Sequence, residues 1–308
     1  MNLYPVPEDF SGERIDSVMS RFTGISRAQC VKLISAGRVV LNGRPAVKGS
    51  QKISGASVME IDLPAPKSAE PIATPVDDFT ILYQDEDIVV VDKPAGVAAH
   101  PSLNFEGPDV LGALLAMGIR LTSSGPAERR GIVHRLDVGT SGCMAVAKSE
   151  SAYSALKRAF RERTVNKIYH ALVQGLPDPM SGTIEAPIGR DYRHQWKMGI
   201  RPEGKHAVTH YDVREALIGA SLLEVHLETG RTHQIRVHMA AVRHPCVGDE
   251  MYGADPVLAE KLGLKRQWLH AVKLGFTHPR TGKYVEFSSS YPKDLQTALD
   301  KMRSGAGF

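Results

Sequence analysis

Gly131-Ile132-Val133-His134-Arg135-Leu136-Asp137-Val138-Gly139-Thr140-Ser141-Gly142-Cys143-Met144-Ala145-Val146-Ala147 sets a polar segment between two apolar runs. Runs of this length, rich in branched and small apolar residues, read as buried strands, and the segment joining them reads as an exposed loop. Asp137 sits inside that loop. An aspartate there commonly does no more than cap a turn, here Gly139–Gly142, and by itself this is the simpler reading. A loop held by two buried strands is also a good place to fix a reactive carboxylate.

The rest of the second half repeats the same grammar. Ile88-Val89-Val90-Val91 ends in the turn Asp92-Lys93-Pro94-Ala95-Gly96, and Leu222 to Leu227 alternates with Leu223, Val225 and Leu227 on one face. Leu269 to Phe276 and Lys283 to Phe287 read as late strands, Val110–Ile119 and Ser151–Arg163 as helices. Strands and helices mixed without strict βαβ alternation point to an α+β domain on a mixed, largely antiparallel sheet. No G-x-x-x-x-G-K-[ST] loop and no G-x-G-x-x-G turn occurs, so triphosphate and dinucleotide chemistry lack their usual signatures.

The first sixty residues form a different unit. Ile15, Val18, Met19 and Phe22 recur at helical spacing, Ser26 and Gln29 make a capping box for a second helix, and Gly37 is placed to end it. Val39-Val40-Leu41-Asn42-Gly43 then enters a tight hairpin. Four prolines between Pro64 and Pro75 favour an extended spacer. The expected organisation is a small α/β domain over residues 12–63, a linker over 64–78 and a large domain over 79–308.

The chain has 308 residues, 42% hydrophobic and 23% charged, ordinary for a soluble globular protein. Its longest apolar stretch is too short to span a bilayer, and the acidic start, with Glu8 and Asp9, shows no signal-peptide pattern, so no membrane partner is expected. Three cysteines without C-x-x-C spacing disfavour a disulfide framework or a zinc site and fit the cytoplasm. The net charge of +4 decides little by itself. Its distribution says more. Between Arg21 and Lys52 lie seven basic residues, Arg27, Lys32, Arg38 and Arg44 among them, and no acidic one. Such a field attracts polyanions, so RNA or DNA contact is favoured over a solvated face.

The segment His134-Arg135-Leu136-Asp137, continued by Thr140-Ser141-Gly142, resembles the central motif of the RluA-type pseudouridine synthases, His-Arg-Leu-Asp-x-x-Thr-Ser-Gly. Two further motifs follow in order. Lys167-Ile168-Tyr169-His170-Ala171-Leu172-Val173-Gln174-Gly175 is similar to the family's Lys-x-Tyr strand, and Arg231-Thr232-His233-Gln234-Ile235-Arg236-Val237-His238 to its third motif. The likeness runs from about residue 80 to 292 and includes Gly248-Asp249, Tyr252-Gly253 and Leu269-His270-Ala271. The residues from 12 to 63 resemble the small RNA-binding domain of the ribosomal-protein-S-four type. The resemblance implies a pseudouridine synthase fold and a reaction that turns a uridine of RNA so that its sugar is held through carbon.

It also implies roles. Asp137 is expected as the nucleophile at C1′, or as the group that assists loss of the C2′ proton in a glycal route. Tyr169 is expected to pack on the base and is a proposed proton acceptor. Arg236 is expected to hold Asp137 ionised, because a neighbouring guanidinium favours the charged form and fixes its geometry bidentately. Thr232 is expected to cap the helix that carries it. Arg231 and Arg135 are expected at phosphates and at the gap left by the flipped base. Arg190, Arg193 and Lys197, with Tyr192 and Trp196 among them, suit phosphates and splayed bases.

A single carboxylate fits isomerisation better than hydrolysis, which would use a second one to activate water. No cofactor is expected. His233 and His238 stand five apart on a helix with no cysteine or carboxylate to complete a set, so no metal is expected either. The expected partner is ribosomal RNA of the large subunit (23S-type), and the expected state is a monomer. The rivals are a non-catalytic RNA-binding factor on the same scaffold and a base-excising hydrolase. An intact Asp137, Tyr169 and Arg236 set argues against the first; release of free uracil would mark the second.

Phosphate contacts release counterions, so binding through the basic N-terminal run should weaken steeply with salt. A chain beginning near Asp78 should fold, keep its chemistry, and bind natural RNA more weakly with a shallower salt dependence. Affinities measured at several salt concentrations, with and without residues 1–77, check this. Equal slopes would remove the RNA-binding role from the small domain.

Overall fold

A computed structural model of the chain describes residues 2–63, 71–102, 105–192, 194 and 197–305. Two compact units are present, Met1–Ser68 and Ala69–Phe308. The first contains β1 (Asn2–Val6), α1 (Ile15–Thr23), α2 (Arg27–Ser35), β2 (Val39–Leu41), β3 (Arg44–Pro45) and β4 (Ser57–Ile61). Its sheet runs β1-β4-β2-β3 with every neighbour antiparallel. Ile15, Val18 and Met19 are buried on one face of α1. Ser26 and Gln29 form the capping box of α2, worth about 1 kcal/mol. Asn42 and Gly43 both take positive φ in the hairpin, the requirement that selects an Asn-Gly pair. The unit begins earlier than residue 12, because β1 pairs along the whole of β4.

The acid-free run is less bare in the fold than in the sequence. Acids outside it supply partners: Glu13 for Arg21 at 3.1 Å, Asp16 for Arg27 at 3.2 Å and Asp62 for Arg38 at 2.8 Å. Lys32, Arg44, Lys48 and Lys52 are exposed and make no ion pair among the described residues.

The second unit contains β5 (Thr80–Gln84), β6 (Ile88–Lys93), α3 (Val110–Ala116), β7 (Ser141–Ala147), α4 (Glu150–Glu162), β8 (Asn166–Gln174), β9 (Ser181–Glu185), β10 (Ile188–Arg190) and β11 (Met198–Ile200). It continues with β12 (Val208–Leu217), β13 (Ala220–Leu227), α5 (Gln234–Ala241), α6 (Pro256–Leu262), β14 (Leu269–Thr277), β15 (Tyr284–Ser288) and α7 (Lys293–Arg303). A mixed sheet runs β5-β6-β7-β14-β8-β13-β12-β9, with β15 also on β14, and β10 pairs with β11 apart from it. Among the described strands of this sheet only the β7–β14 contact is parallel. β6 and β7 are buried on both sides: Val89, Val91, Met144 and Val146 share one core, Ile88, Val90, Cys143 and Ala145 another with Ala152 and Leu156 of α4. That two-sided burial is why these strands are unbroken apolar runs.

Two expectations need correction here. Gly131-Ile132-Val133 is not a strand; only Ile132 makes an isolated bridge, to Val146. Residues 71–76 are not a free spacer, since Thr74 donates its N–H to the Gly112 carbonyl of α3 at 3.0 Å. Residues 64–70 of the proposed linker lie outside the described residues, as do Arg193 and Trp196.

Gly142 explains the end of the central motif. It pairs with Ala271 where β7 and β14 run parallel, at φ 114. A Cβ there would lie 2.3 Å from the Ala271 carbonyl oxygen and 2.7 Å from its nitrogen. Backbone cannot give way as a side chain can, and the conformation itself disfavours an L side chain. Gly142→Ala is therefore expected to destabilise the large unit by about 3 kcal/mol, read as a fall in the urea midpoint. An unchanged midpoint would mean that the strands separate cheaply.

Candidate active site

Asp137 is placed by a loop that is tied on every side. Its carbonyl accepts the Thr140 N–H at 3.0 Å, so the turn is closed by backbone and the carboxylate is left for other use. The next carbonyl, of Val138, accepts the Gly96 N–H at 2.8 Å and lies 3.4 Å from the Lys93 ammonium. Arg266 donates to the Gly139 carbonyl at 3.0 Å, Gln267 to the Thr140 hydroxyl at 3.3 Å, and the Ser141 hydroxyl lies 2.9 Å from His270 Nδ1. His134 receives the Ala145 N–H of β7 at 2.9 Å and stacks on Phe160. Burial, then Lys167, lowers that imidazole to about 3, so it serves as a neutral strut.

Lys93 is fully buried and donates to the carbonyls of Pro94 and Val97. Burial lowers it to about 7 against the pull of Asp137. The Asp92–Gly96 turn thus serves as the floor of the Asp137 loop.

The loop opens into a cavity of about 430 Å³. Its walls include Arg135, Asp137, Tyr169, Arg231, His233 and Arg236, which brings the three expected catalytic residues together with two expected RNA contacts. Tyr169 comes from β8, where alternation turns it with Ala171 and Val173 toward one core. Burial, then Asp137, pushes its phenol above the ordinary tyrosine range. It therefore presents a neutral ring to the cavity.

Arg236, on α5, differs from the expectation in its main partner. Its Nε and Nη2 form a bidentate pair with Asp249 at 2.6 and 2.8 Å, and both side chains are buried. Nη1 remains, 3.6 Å from Asp137 Oδ2. Burial opposes the charge of Arg236, but the hydrogen bonds and charge of Asp249 outweigh it and the guanidinium stays protonated. Asp249 thus orients the arginine, and the arginine faces Asp137 with one nitrogen.

Thr232 does not cap α5. The cap position belongs to His233, in the left-handed region at φ 57 with no side-chain cap bond. The preceding turn is closed instead by buried Gln234, whose side-chain oxygen accepts from Thr229 at 2.8 Å and from the Arg231 N–H at 2.9 Å. His233 is brought to the site: Nε2 lies 4.0 Å from Asp137 Oδ2 and Nδ1 lies 2.8 Å from the Tyr252 hydroxyl. His238 is directed elsewhere, to Thr209 and the Ala186 carbonyl. No cluster of His, Cys, Asp or Glu suited to a metal occurs among the described residues.

Sequence reasoning missed several wall residues. Glu228 is a second carboxylate in the cavity, engaged by His210 at 2.8 Å and by Arg163 at 3.6 Å. Arg161, Arg163 and Lys167 add positive charge; burial, then Arg163 and Arg231, lowers Lys167 to about 8. Asp249 and Tyr252 stood in a recognisable segment, but nothing in its pattern said which arginine it would meet. Arg190 ends β10 and Lys197 directly precedes β11, with Lys197 over the Tyr252 ring at 5.0 Å.

This chain belongs to the RNA pseudouridylate synthase family, whose description matches residues 87–241. Residues 13–58 match the S4 domain. An uncharacterized RNA pseudouridine synthase of Mycobacterium bovis is 58% identical over 300 residues, 97% of each chain. A ribosomal large subunit pseudouridine synthase D of Zymomonas mobilis is 39% identical, covering 94% of this chain and 93% of its own. Among solved structures, human RNA pseudouridylate synthase domain containing 1 superposes with TM-score 0.59 at 28% identity, over 76% of this chain and 96% of that one. The protein is accordingly a pseudouridine synthase, an isomerase with RNA as its partner, carrying an S4 RNA-binding domain at its N-terminal end.

Removing one member of a buried ion pair strands the other, at a cost of about 3–5 kcal/mol. Asp249→Asn should lower stability by that order, whereas Asp137→Asn should lower it little, because Asp137 makes only the longer contacts. Urea unfolding of both variants checks the contrast. Equal losses would make Asp137 a structural residue.

Proposed function

We propose that this protein isomerises specific uridines of large-subunit ribosomal RNA through the Asp137 carboxylate, without a cofactor, as a monomer in the cytoplasm. The observation that carries the reading is the pairing of Asp137 with the one nitrogen that Asp249 leaves free on the Arg236 guanidinium. A carboxylate faced by one fixed cationic nitrogen keeps its aim, yet retains oxygens for C1′, or for the C2′ proton. Tyr169, neutral and flat, offers a surface for the uracil. The N1–C1′ and C5–H bonds break and the C5–C1′ and N1–H bonds form, a transfer of one proton from C5 to N1 with no net water or redox change, so carboxylate chemistry suffices.

Glu228 is the one feature that favours hydrolysis, since a second carboxylate in the cavity could activate water. Its oxygens are already engaged by His210 and Arg163, which leaves them less free to hold a water. The named relatives that act on the ribosomal large subunit support the choice of substrate. Arg231 would meet a phosphate at the cavity and Arg135 would fill the gap left by the flipped uridine, Arg190 and Lys197 would hold the strand beside it, and Arg27, Lys32, Arg38 and Arg44 would let the S4 domain capture structured RNA.

Pseudouridine mapping across total RNA, in cells with and without the protein, tests this reading. Loss of sites in large-subunit ribosomal RNA is expected, restored by the wild-type chain and not by Asp137→Asn, which should still bind RNA. Restoration by Asp137→Asn would overturn the assignment of the nucleophile. Sites lost only from transfer RNA would overturn the substrate.

A further inference from the structure

Tyr252 has no part in the chemistry above, yet it touches Arg236 and His233, the two side chains that face Asp137. Its hydroxyl accepts the N–H of Met198 at 3.1 Å and lies 2.8 Å from His233 Nδ1. Its ring lies beneath the Lys197 ammonium at 5.0 Å and the Arg236 guanidinium at 4.9 Å. These contacts run to separate elements, the β10–β11 hairpin and the start of α5. A phenol overlain by two cations and bonded at its oxygen has little freedom to turn.

A tyrosine oxygen has one proton to give and two lone pairs. Once it accepts from Met198, its proton is available to His233 Nδ1. A neutral imidazole that accepts at Nδ1 carries its own proton on Nε2, the nitrogen facing Asp137. His233 is held for this in a backbone conformation unusual for a non-glycine residue, φ 57, which marks a position where geometry is imposed by function or packing. Burial lowers the imidazole from its ordinary range, with Asp137 and Asp249 opposing and Arg236 and Arg135 assisting, while burial raises the Tyr252 phenol to about 12. Both rings are therefore neutral near pH 7.

We propose that Tyr252 is a positioning residue: it fixes His233 as an Nε2–H donor toward Asp137 and makes that arrangement depend on the seating of the β10–β11 hairpin. Asp137 is then flanked by two oriented donors, Arg236 Nη1 and His233 Nε2. One is set by Asp249 and the other by Tyr252. RNA held by the hairpin would keep Met198 in place and the phenol with it. The inference rests on the proposed roles of Asp137 in the reaction and of the hairpin in RNA binding.

The test uses the full-length chain with 15N-labelled histidine, the His233 signals being identified by their loss in His233→Gln. The wild type should show Nε2 protonated and Nδ1 bare. Tyr252→Phe keeps the ring and both cation contacts but removes the hydroxyl. It should mix the His233 tautomers and lower kcat on a large-subunit ribosomal RNA transcript by roughly tenfold, the size of one lost hydrogen bond, with KM and RNA affinity unchanged. A wild-type His233 protonated on Nδ1 would overturn the proposal, whether or not the variant folds. So would a Tyr252→Phe variant that loses only affinity, or that changes neither tautomer nor kcat. The tautomer is read without turnover, so a wild type inactive on every RNA would count against the proposed reaction and leave the tautomer to decide this inference.

Discussion

The buried pair of Arg236 and Asp249 is the constraint on which the site depends. Two charges taken out of water are tolerated only when each satisfies the other with good geometry. The bidentate bonds at 2.6 and 2.8 Å meet that condition and use two of the three guanidinium nitrogens. The third can then only point toward Asp137. An arginine paired directly and bidentately with Asp137 would occupy both of that carboxylate's oxygens. The observed division leaves charge on one side of Asp137 and a cavity on the other. Electrostatic support and chemical access are separated between two carboxylates.

The second constraint is the loop itself. Three of its carbonyl and hydroxyl groups are bound by Lys93, Arg266 and Gln267, residues that come from β6 and from the segment entering β14. Pinning a loop from two strands restricts it to one geometry, which is what a carboxylate acting on a sugar carbon requires. Lys93 illustrates the cost. Its ammonium is buried with carbonyls as its hydrogen-bond partners, a position that weakens its hold on its own proton. Nearby negative charge from Asp137 offsets part of that cost, so floor and site support each other.

Much of this was legible in the chain itself. The helix of Ile15–Thr23, the capping box at Ser26 and the Asn-Gly hairpin follow from spacing and turn chemistry alone, since each involves residues within one or two turns of each other. The two-sided burial of β6 and β7 was visible as unbroken apolar runs. Local rules failed where the outcome lay with distant residues. Gly131-Ile132-Val133 has strand composition but finds only one bridge partner. Thr232 has the chemistry of a cap, yet Gln234 closes that turn with its side chain, aided by Thr229 and a strand twenty-odd residues away. The apparently unopposed basic run acquires Glu13, Asp16 and Asp62 because folding brings flanking segments back onto it.

The sequence by itself determined the residue types of the site, the order of its three motifs and the class of sheet that carries them, because hydrophobic period and turn composition act locally. Tertiary structure alone decided how those residues divide their bonds. Which carboxylate takes Arg236 depends on the packing of Asp249 beneath α5, thirteen residues further along the chain. Whether His233 faces a metal, solvent or Asp137 depends on a left-handed turn and on a tyrosine supplied by the following loop. Charges and hydrogen bonds are short-ranged and directional, so their partners are settled only when the whole chain has closed around them.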